Sequence, residues 1–326
     1  MSTWPVIQAS SSEASQRTSR VTRAHRPPAP FWHPGRVSEE FEEFEAERPK
    51  MFGLAYRMLG SAGEAEDVVQ DAYLRWSGAE RASIVTPGAW LAKVVTNLCL
   101  NRLSAARATR ERYVGFWLPE PAPTGALGPL ESAEQRDAVS MAFMLLLERL
   151  TPAERAVFVL REAFSYGYRE IADVLDLSEA NCRQLYGRAR RRVGEAPRFD
   201  APGEQRRRIV EGFLTAATSG DLAGLERLLA EDVVSWADGG GRVKAALRPV
   251  TGRERVVRYL AGVAVKFGEG VEFGRADLNG QEAIIAWREG ELVAVFVFEV
   301  SGGLIAGVRT VLNPEKLSHL RGLTGS

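Results

Sequence analysis

Thiols and imidazoles are scarce in this chain of 326 residues, which has 2 cysteines and 3 histidines. Cys99 and Cys182 stand singly with no C-x-x-C spacing, so buried free thiols are expected rather than a zinc site or a disulfide. His25, His33 and His319 cluster with nothing, and no metal or cofactor is expected. Net charge is absent too, with 42 basic side chains against 42 acidic ones, so affinity for nucleic acid must come from local clusters. The longest apolar run, Leu292 to Phe298, is far too short for a membrane span and suits a buried strand. The N-terminus lacks the apolar core of a secretory signal. Together these absences predict a soluble, cytoplasmic protein with no membrane association.

What the chain does have is helix punctuation followed by positive charge. Thr151, Pro152 and Glu154 make a capping box with proline at the first helical position. Tyr168 to Leu175 puts Ile171, Ala172, Val174 and Leu175 on one face. Asp176-Leu177-Ser178 then turns the chain, and Ser178 suits the N-cap of a second helix. From Glu179 to Arg192, five arginines (183, 188, 190, 191, 192) oppose one glutamate, a net of +4. Two short helices joined this way form a helix-turn-helix, whose second helix enters the DNA major groove. Ser178, Asn181, Arg183 and Gln184 sit early, where base edges are reached; Arg188, Arg190 and Arg191 come later and suit phosphates.

The rest of the chain falls into blocks. Residues 1–37, rich in Ser, Arg and Pro without apolar periodicity, are expected to be disordered. Residues 38–110 read as all-helical, with a first helix over Glu39 to Leu59 interrupted or kinked near Pro49. A capping box at Ser61 and Glu64 opens the next helix, and a third starts at Thr86-Pro87. Residues 111–130 are a Pro/Gly-rich linker, and 131–197 carry the helix-turn-helix. From 204 to 326 a helix over Arg206 to Thr218 and another over Leu222 to Ala230 precede a series of strands. Asn279-Gly280, Glu289-Gly290 and Gly302-Gly303 are hairpin turns between those strands, which suits an α+β cone or sheet.

These residues resemble the extracytoplasmic-function sigma factors of bacterial RNA polymerase. AEDVVQDAYLRW (65–76) is similar to the segment by which that family grips the polymerase core, and WLAKVVTNLCLNRL (90–103) to its −10 reading region. The helix-turn-helix resembles its −35 reading region. Residues 206–312 resemble the SnoaL-like fold, which one subgroup of the family carries fused at its C-terminus. That subgroup's W-L-P-E-P, D-G-G-G and N-P-x-K-L motifs stand here at Trp117 to Pro121, Asp238 to Gly241 and Asn313 to Leu317. The implied architecture is multidomain: two all-α sigma domains, the second a helix-turn-helix, followed by an α+β SnoaL-like cone.

The resemblance implies a division of labour. Asp67, Gln70, Asp71 and Leu74 share one helix face and are expected to meet polymerase core. Trp90, Lys93, Asn97, Asn101 and Arg102 are expected to meet the −10 element, with the loop Gly78 to Val85 pocketing an unstacked base. Trp117, Pro119 and Glu120, with Asp238, Gly239, Gly240, Asn313, Pro314 and Lys316, are expected to dock the C-terminal domain back on the linker and helical parts. Core polymerase and promoter DNA are the expected partners. A small ligand in the C-terminal cone is a further expectation, and catalysis is not expected. The competing readings are a SnoaL-like enzyme, with Trp236, Asp238, Asp277 and Trp287 expected to line its cone although no acid–base pair declares itself by spacing, or a small-ligand sensor, in either case fused to a DNA-binding regulator.

Overall fold

The computed structural model describes residues 39–80, 84–110, 113–128, 133–194 and 203–322. The stretch 1–37 lies outside the described residues, as do 195–202 and 323–326. Helix α1 (Glu39–Leu59) is not interrupted at Pro49, which lies on its exposed side. Beyond it, Met51 to Leu59 is buried all round, by α2 (Ala62–Ser77), α3 (Pro87–Arg110) and segments later in the chain. The Ser61 hydroxyl accepts from the Glu64 amide and starts α2 as expected.

Helices α4 (Ala133–Asp137) and α5 (Met141–Leu147) lead into α6 (Pro152–Glu162), α7 (Tyr168–Leu175) and α8 (Glu179–Val193). The two helical segments bury a common core, one hydrophobic cluster running from Phe44 to Val193. Polar atoms stitch it. Arg57 donates to Gly53 O at 2.9 Å and lies over the Phe164 ring, while Arg155 Nε donates to Arg57 O at 2.9 Å and its Nη1 to Glu148 at 2.5 Å. Burial lowers the Arg57 guanidinium to about 10.

Helices α9 (Gly203–Ser219) and α10 (Leu222–Leu228) open the C-terminal part. The second ends two residues before the expected Ala230, because Leu229 already pairs with Ile305 in the sheet. Strands β1 (Leu229–Asp238) and β2 (Val250–Thr251) precede α11 (Arg253–Phe267). Strands β3 (Val271–Leu278), β4 (Gln281–Arg288), β5 (Glu291–Ser301) and β6 (Leu304–Val311) follow, and after them come α12 (Pro314–Leu317) and a 3-10 turn (Ser318–Leu320). The sheet order is β2-β1-β6-β5-β4-β3, with β1 parallel to β6 and the remaining neighbours antiparallel. All three expected hairpin turns have positive φ at both central residues, the geometry that two-residue hairpins favour.

Both sheet faces are covered. One packs on α9, α10 and α11 through Phe213, Val256, Val257, Phe298 and Val308. The other packs on the linker, α5 and the tail, through Leu118, Met141, Ile285, Val295, Val297 and Leu317. The linker therefore runs between the helical part and the sheet.

Candidate nucleic-acid interface and linker clasp

On α2, Asp67, Gln70 and Leu74 are exposed and Asp71 is half-buried at their edge. Leu74 is 68% exposed, a large apolar side chain standing on an acidic face. Arg102 turns toward this face: its Nη2 donates to Asp71 Oδ2 at 2.8 Å, its Nη1 to Glu64 O at 2.8 Å, and Asp67 lies 4.0 Å away. The arginine expected on the −10 surface thus bridges α3 to α2. Asn101 is exposed, Asn97 half-buried, and Trp90 packs at 5.7 Å against buried Trp76.

Lys93 is also engaged. Its ammonium donates to Asp173 O at 2.8 Å and Asp176 Oδ1 at 2.7 Å. Asp176 is the left-handed C-cap of α7, with φ 54°, so the lysine sits at a helix C-terminus where unpaired carbonyls favour a cation. The −10 candidate helix and the turn of the helix-turn-helix are latched to each other.

The helix-turn-helix forms for the local reasons its sequence carries. Thr151 and Glu154 cap α6 reciprocally, and Ser178 accepts from Asn181 N at 3.2 Å. Cys182, Leu185, Ala189 and Val193 face the core, which leaves Arg183, Gln184, Arg188, Arg190 and Arg191 exposed and Asn181 half-buried. Glu154 is almost fully buried yet faces α8: Arg192 reaches it at 2.6 Å and Arg188 at 3.3 Å. Burial works to raise its carboxyl, but the Thr151 hydrogen bonds and the two guanidiniums outweigh it and hold Glu154 below the usual range. Arg183 pairs with Glu179 at 2.7 Å and lies over the Tyr168 ring.

The three C-terminal motifs meet at one buried carboxylate. Asp238, fully buried at the end of β1, accepts from Tyr113 at 2.5 Å, Gly240 N at 3.1 Å, Leu118 N at 2.8 Å and Lys316 Nζ at 2.7 Å. Its backbone oxygen takes the amides of Leu312 and Asn313. Lys316 also donates to Leu118 O and lies 4.7 Å from the Tyr113 ring and 4.4 Å from the Trp117 ring. Asn313 donates to Tyr113 Oη at 2.9 Å and caps α12, where Pro314 takes the first helical position. The glycines allow the approach: a Cβ on Gly239 would overlap Val243 O, and one on Gly240, with φ +58°, would overlap Asn313 Nδ2. Burial and the Asp238 carboxylate push the Tyr113 phenol well above its usual range and keep it a donor.

The linker is gripped from its other side by the helical part. Glu120 accepts from the Ser61 hydroxyl at 2.9 Å and Gly63 N at 3.1 Å, so it caps the start of α2. Its amide donates to Gly60 O at 2.9 Å, and its carbonyl accepts from Tyr56 at 2.7 Å. Pro119 is buried beside it. His319 Nε2 lies 2.6 Å from Pro121 O, so that nitrogen carries a proton. Asn279 joins all the layers: its Oδ1 accepts from Ala122 N at 3.0 Å, and its Nδ2 donates to Tyr56 Oη at 2.6 Å and Val139 O at 2.9 Å. Asn279 carries only the Asn-Gly turn signal in the sequence, and Tyr56, Tyr113 and His319 carry no signal at all.

The residues expected to line a cone in the enzyme reading are engaged in hydrogen bonds and packing. Asp238 is saturated by the clasp, and Asp277 takes the Thr124 hydroxyl at 2.7 Å. Trp236 and Trp287 belong to the cluster packed on the linker side, with Phe116 at 6.2 Å and the Arg309 guanidinium at 4.3 Å from Trp236. Among the described residues no group of His, Cys, Asp and Glu is arranged to hold a metal, and no helix is long and apolar enough to cross a membrane.

Comparison with known proteins assigns the helical part first. Residues 44–109 match the model of Sigma-70 region 2, and residues 140–193 match that of Sigma-70 region 4, which defines a sigma-70-type initiation factor. The chain is 40% identical to the ECF RNA polymerase sigma factor SigJ of Mycobacterium tuberculosis, over 74% of this chain and 79% of that protein. It is 32% identical to the probable ECF sigma factor SigI of the same species, over 86% of this chain and 96% of that one. The crystal structure of M. tuberculosis SigJ superposes with a TM-score of 0.68 at 33% identity, covering 85% of this chain and 98% of that one. The chain belongs to the ECF RNA polymerase sigma factors, which direct transcription initiation at particular promoters and are not enzymes.

Proposed function

We propose that this sigma factor is held in a closed form by its C-terminal domain and acts when the linker clasp opens onto polymerase in the cytoplasm. The observation that carries the reading is the saturated carboxylate of Asp238, which ties the linker, the sheet and the tail at one point. The Lys93 latch adds a direct tie between the two promoter-reading parts. Residues 38–110 are the core-binding and −10 part, 131–197 the −35 part and 204–326 the regulatory part.

Within that scheme Asp67, Gln70, Asp71 and Leu74 meet the polymerase core, because they are the exposed acidic face with an apolar centre. Asn97 and Asn101, with Trp90, Lys93 and Arg102 once released, read the −10 element. Ser178, Asn181, Arg183 and Gln184 read −35 base edges, and Arg188, Arg190 and Arg191 hold phosphates. Trp117, Pro119, Glu120, Gly239, Gly240, Asn313, Pro314 and Lys316 build the clasp around Asp238. The C-terminal domain regulates without catalysis, and turnover by the full chain would contradict that.

The test is run-off transcription with purified core polymerase. The full chain directs promoter-specific transcripts, and Asp71→Arg abolishes both transcript and core pull-down with the fold intact. The half-exposed Asp71–Arg102 pair it breaks contributes at most about 1 kcal/mol. Undiminished core binding by Asp71→Arg overturns the assignment of that face. Asp176→Gly, which frees Lys93 without removing it, and Asp238→Ala chains that are no more active than the parent at limiting core overturn the closed form.

A further inference from the structure

A cleft of about 860 Å³ opens between α1, the first turns of α3 and the α6–α7 junction, where the two promoter-reading parts meet. That volume is in the range of small-molecule sites. Its walls are apolar and aromatic, supplied by Ala46, Pro87, Val174, Trp90 and Tyr166. Its charge is negative: Glu43 and Glu47 from α1 and Glu170 and Asp173 from α7, against Lys50 and Lys93. Lys93 is already neutralised by Asp176. Glu170 is used by Gly167 N.

Glu47 is different. Its carboxylate lies over Gly88 in the first turn of α3, where any side chain would crowd it, and its Oε2 is buried with no donor reaching it. A carboxylate oxygen shielded from water and left without a donor costs free energy, and a turn of the Glu47 side chain into the cleft would bring it to a bound donor. While the cleft is closed DNA does not suit such a wall, since each phosphate would meet carboxylates, and Trp90 and Lys93 meet the −10 element only after it opens.

We propose that this cleft binds an organic cation, a compound with an ammonium or guanidinium group on an apolar body. The cationic group meets Glu47, the body lies against Trp90 and Tyr166 with a cation–π contribution, and the ligand bridges α1 and α3 to α7. Occupancy then favours the closed form over the open one, because the open form lacks the α7 wall. This regulatory consequence rests on the closed form proposed above; binding itself does not.

The experiment is calorimetric titration of the full chain with agmatine, spermidine and tryptamine, with indole-3-acetate as the anionic counterpart of the last. At least one amine binds saturably and raises the melting temperature, indole-3-acetate does neither, and Glu47→Gln weakens the amine at least tenfold. Trp90→Ala serves as the second variant should Glu47→Gln unfold. Saturable binding by none of the amines, or amine binding unaltered in both variants, overturns the proposal. Run-off transcription by the same preparation separates the outcomes: intact initiation without amine binding sinks the cleft alone, and absent initiation sinks the sigma reading.

Discussion

The acidic face of α2 and the clasp around Asp238 use the same chemistry, carboxylates beside arginine or lysine, in opposite surroundings. On α2, Asp67 and Asp71 stand in or near solvent, and their pairing with Arg102 is screened and exchangeable. In the clasp, Asp238 and Lys316 are buried to 0% and 6% exposure, and every lone pair of the carboxylate has a donor. The first arrangement can trade its partner for another protein at little cost. The second holds only while all its members are present. The two carboxylate sites are thus distinguished by dielectric surroundings rather than by residue type.

The largest test of that contrast is Asp238→Ala. It strands the buried Lys316 ammonium and is expected to cost about 3–5 kcal/mol, read from urea unfolding and faster proteolysis of the linker. Lys316→Met keeps the stem and leaves Asp238 three neutral donors, so its cost is smaller, about 1–3 kcal/mol. The reverse order would break the comparison.

Asn279→Ala comes next. It removes three hydrogen bonds and puts alanine at φ 55°, for an expected loss of about 2–3 kcal/mol in the same unfolding measurement. A loss no greater than at an exposed turn such as Glu289 would mean that the clasp does not act as one unit.

Acid titration sharpens the contrast inside the helix-turn-helix. Glu154 is held below its unfolded range, so its contribution is present above that range and is lost as pH falls through the folded value. Thermal melting between neutral and acidic pH is expected to show a drop that Glu154→Gln lacks; parallel curves would refute it. The smallest expected effect is on DNA. Arg188→Ala lowers affinity for all promoters and reduces the salt slope by about one, whereas Arg183→Ala relaxes sequence preference. Because Arg188 also reaches Glu154, only its variant shifts the acid melting curve.

Local structure was legible in the sequence wherever a short-range rule governs it. The caps at Ser61, Thr151 and Ser178 and the turns at 279, 289 and 302 are each decided within four residues, and each is present. The motif residues were legible as a group through family resemblance. Their pairing was not, because Asp238 meets Lys316 across 78 positions and Tyr113 across 125. Nothing local distinguishes Asn279 from an ordinary hairpin asparagine, and only the fold brings Tyr56 and Val139 to its amide. Lys93 and Arg102 were legible as a polar face, but the neighbouring helices that occupy them were not.

The linker also has a role in the upkeep of the molecule. It covers one apolar sheet face with Phe116 and Leu118, and at Pro123 it bridges to Leu278 on the free edge of β3. A chain opened at this seam bares both an oily surface and an unpaired strand rim, which invite self-association. If the chain opens as proposed while away from polymerase, aggregation and proteolytic clearance are the expected outcomes. Chains clipped within the linker are expected to leave solution sooner than intact ones, so that the pool of active factor is policed by its own insolubility.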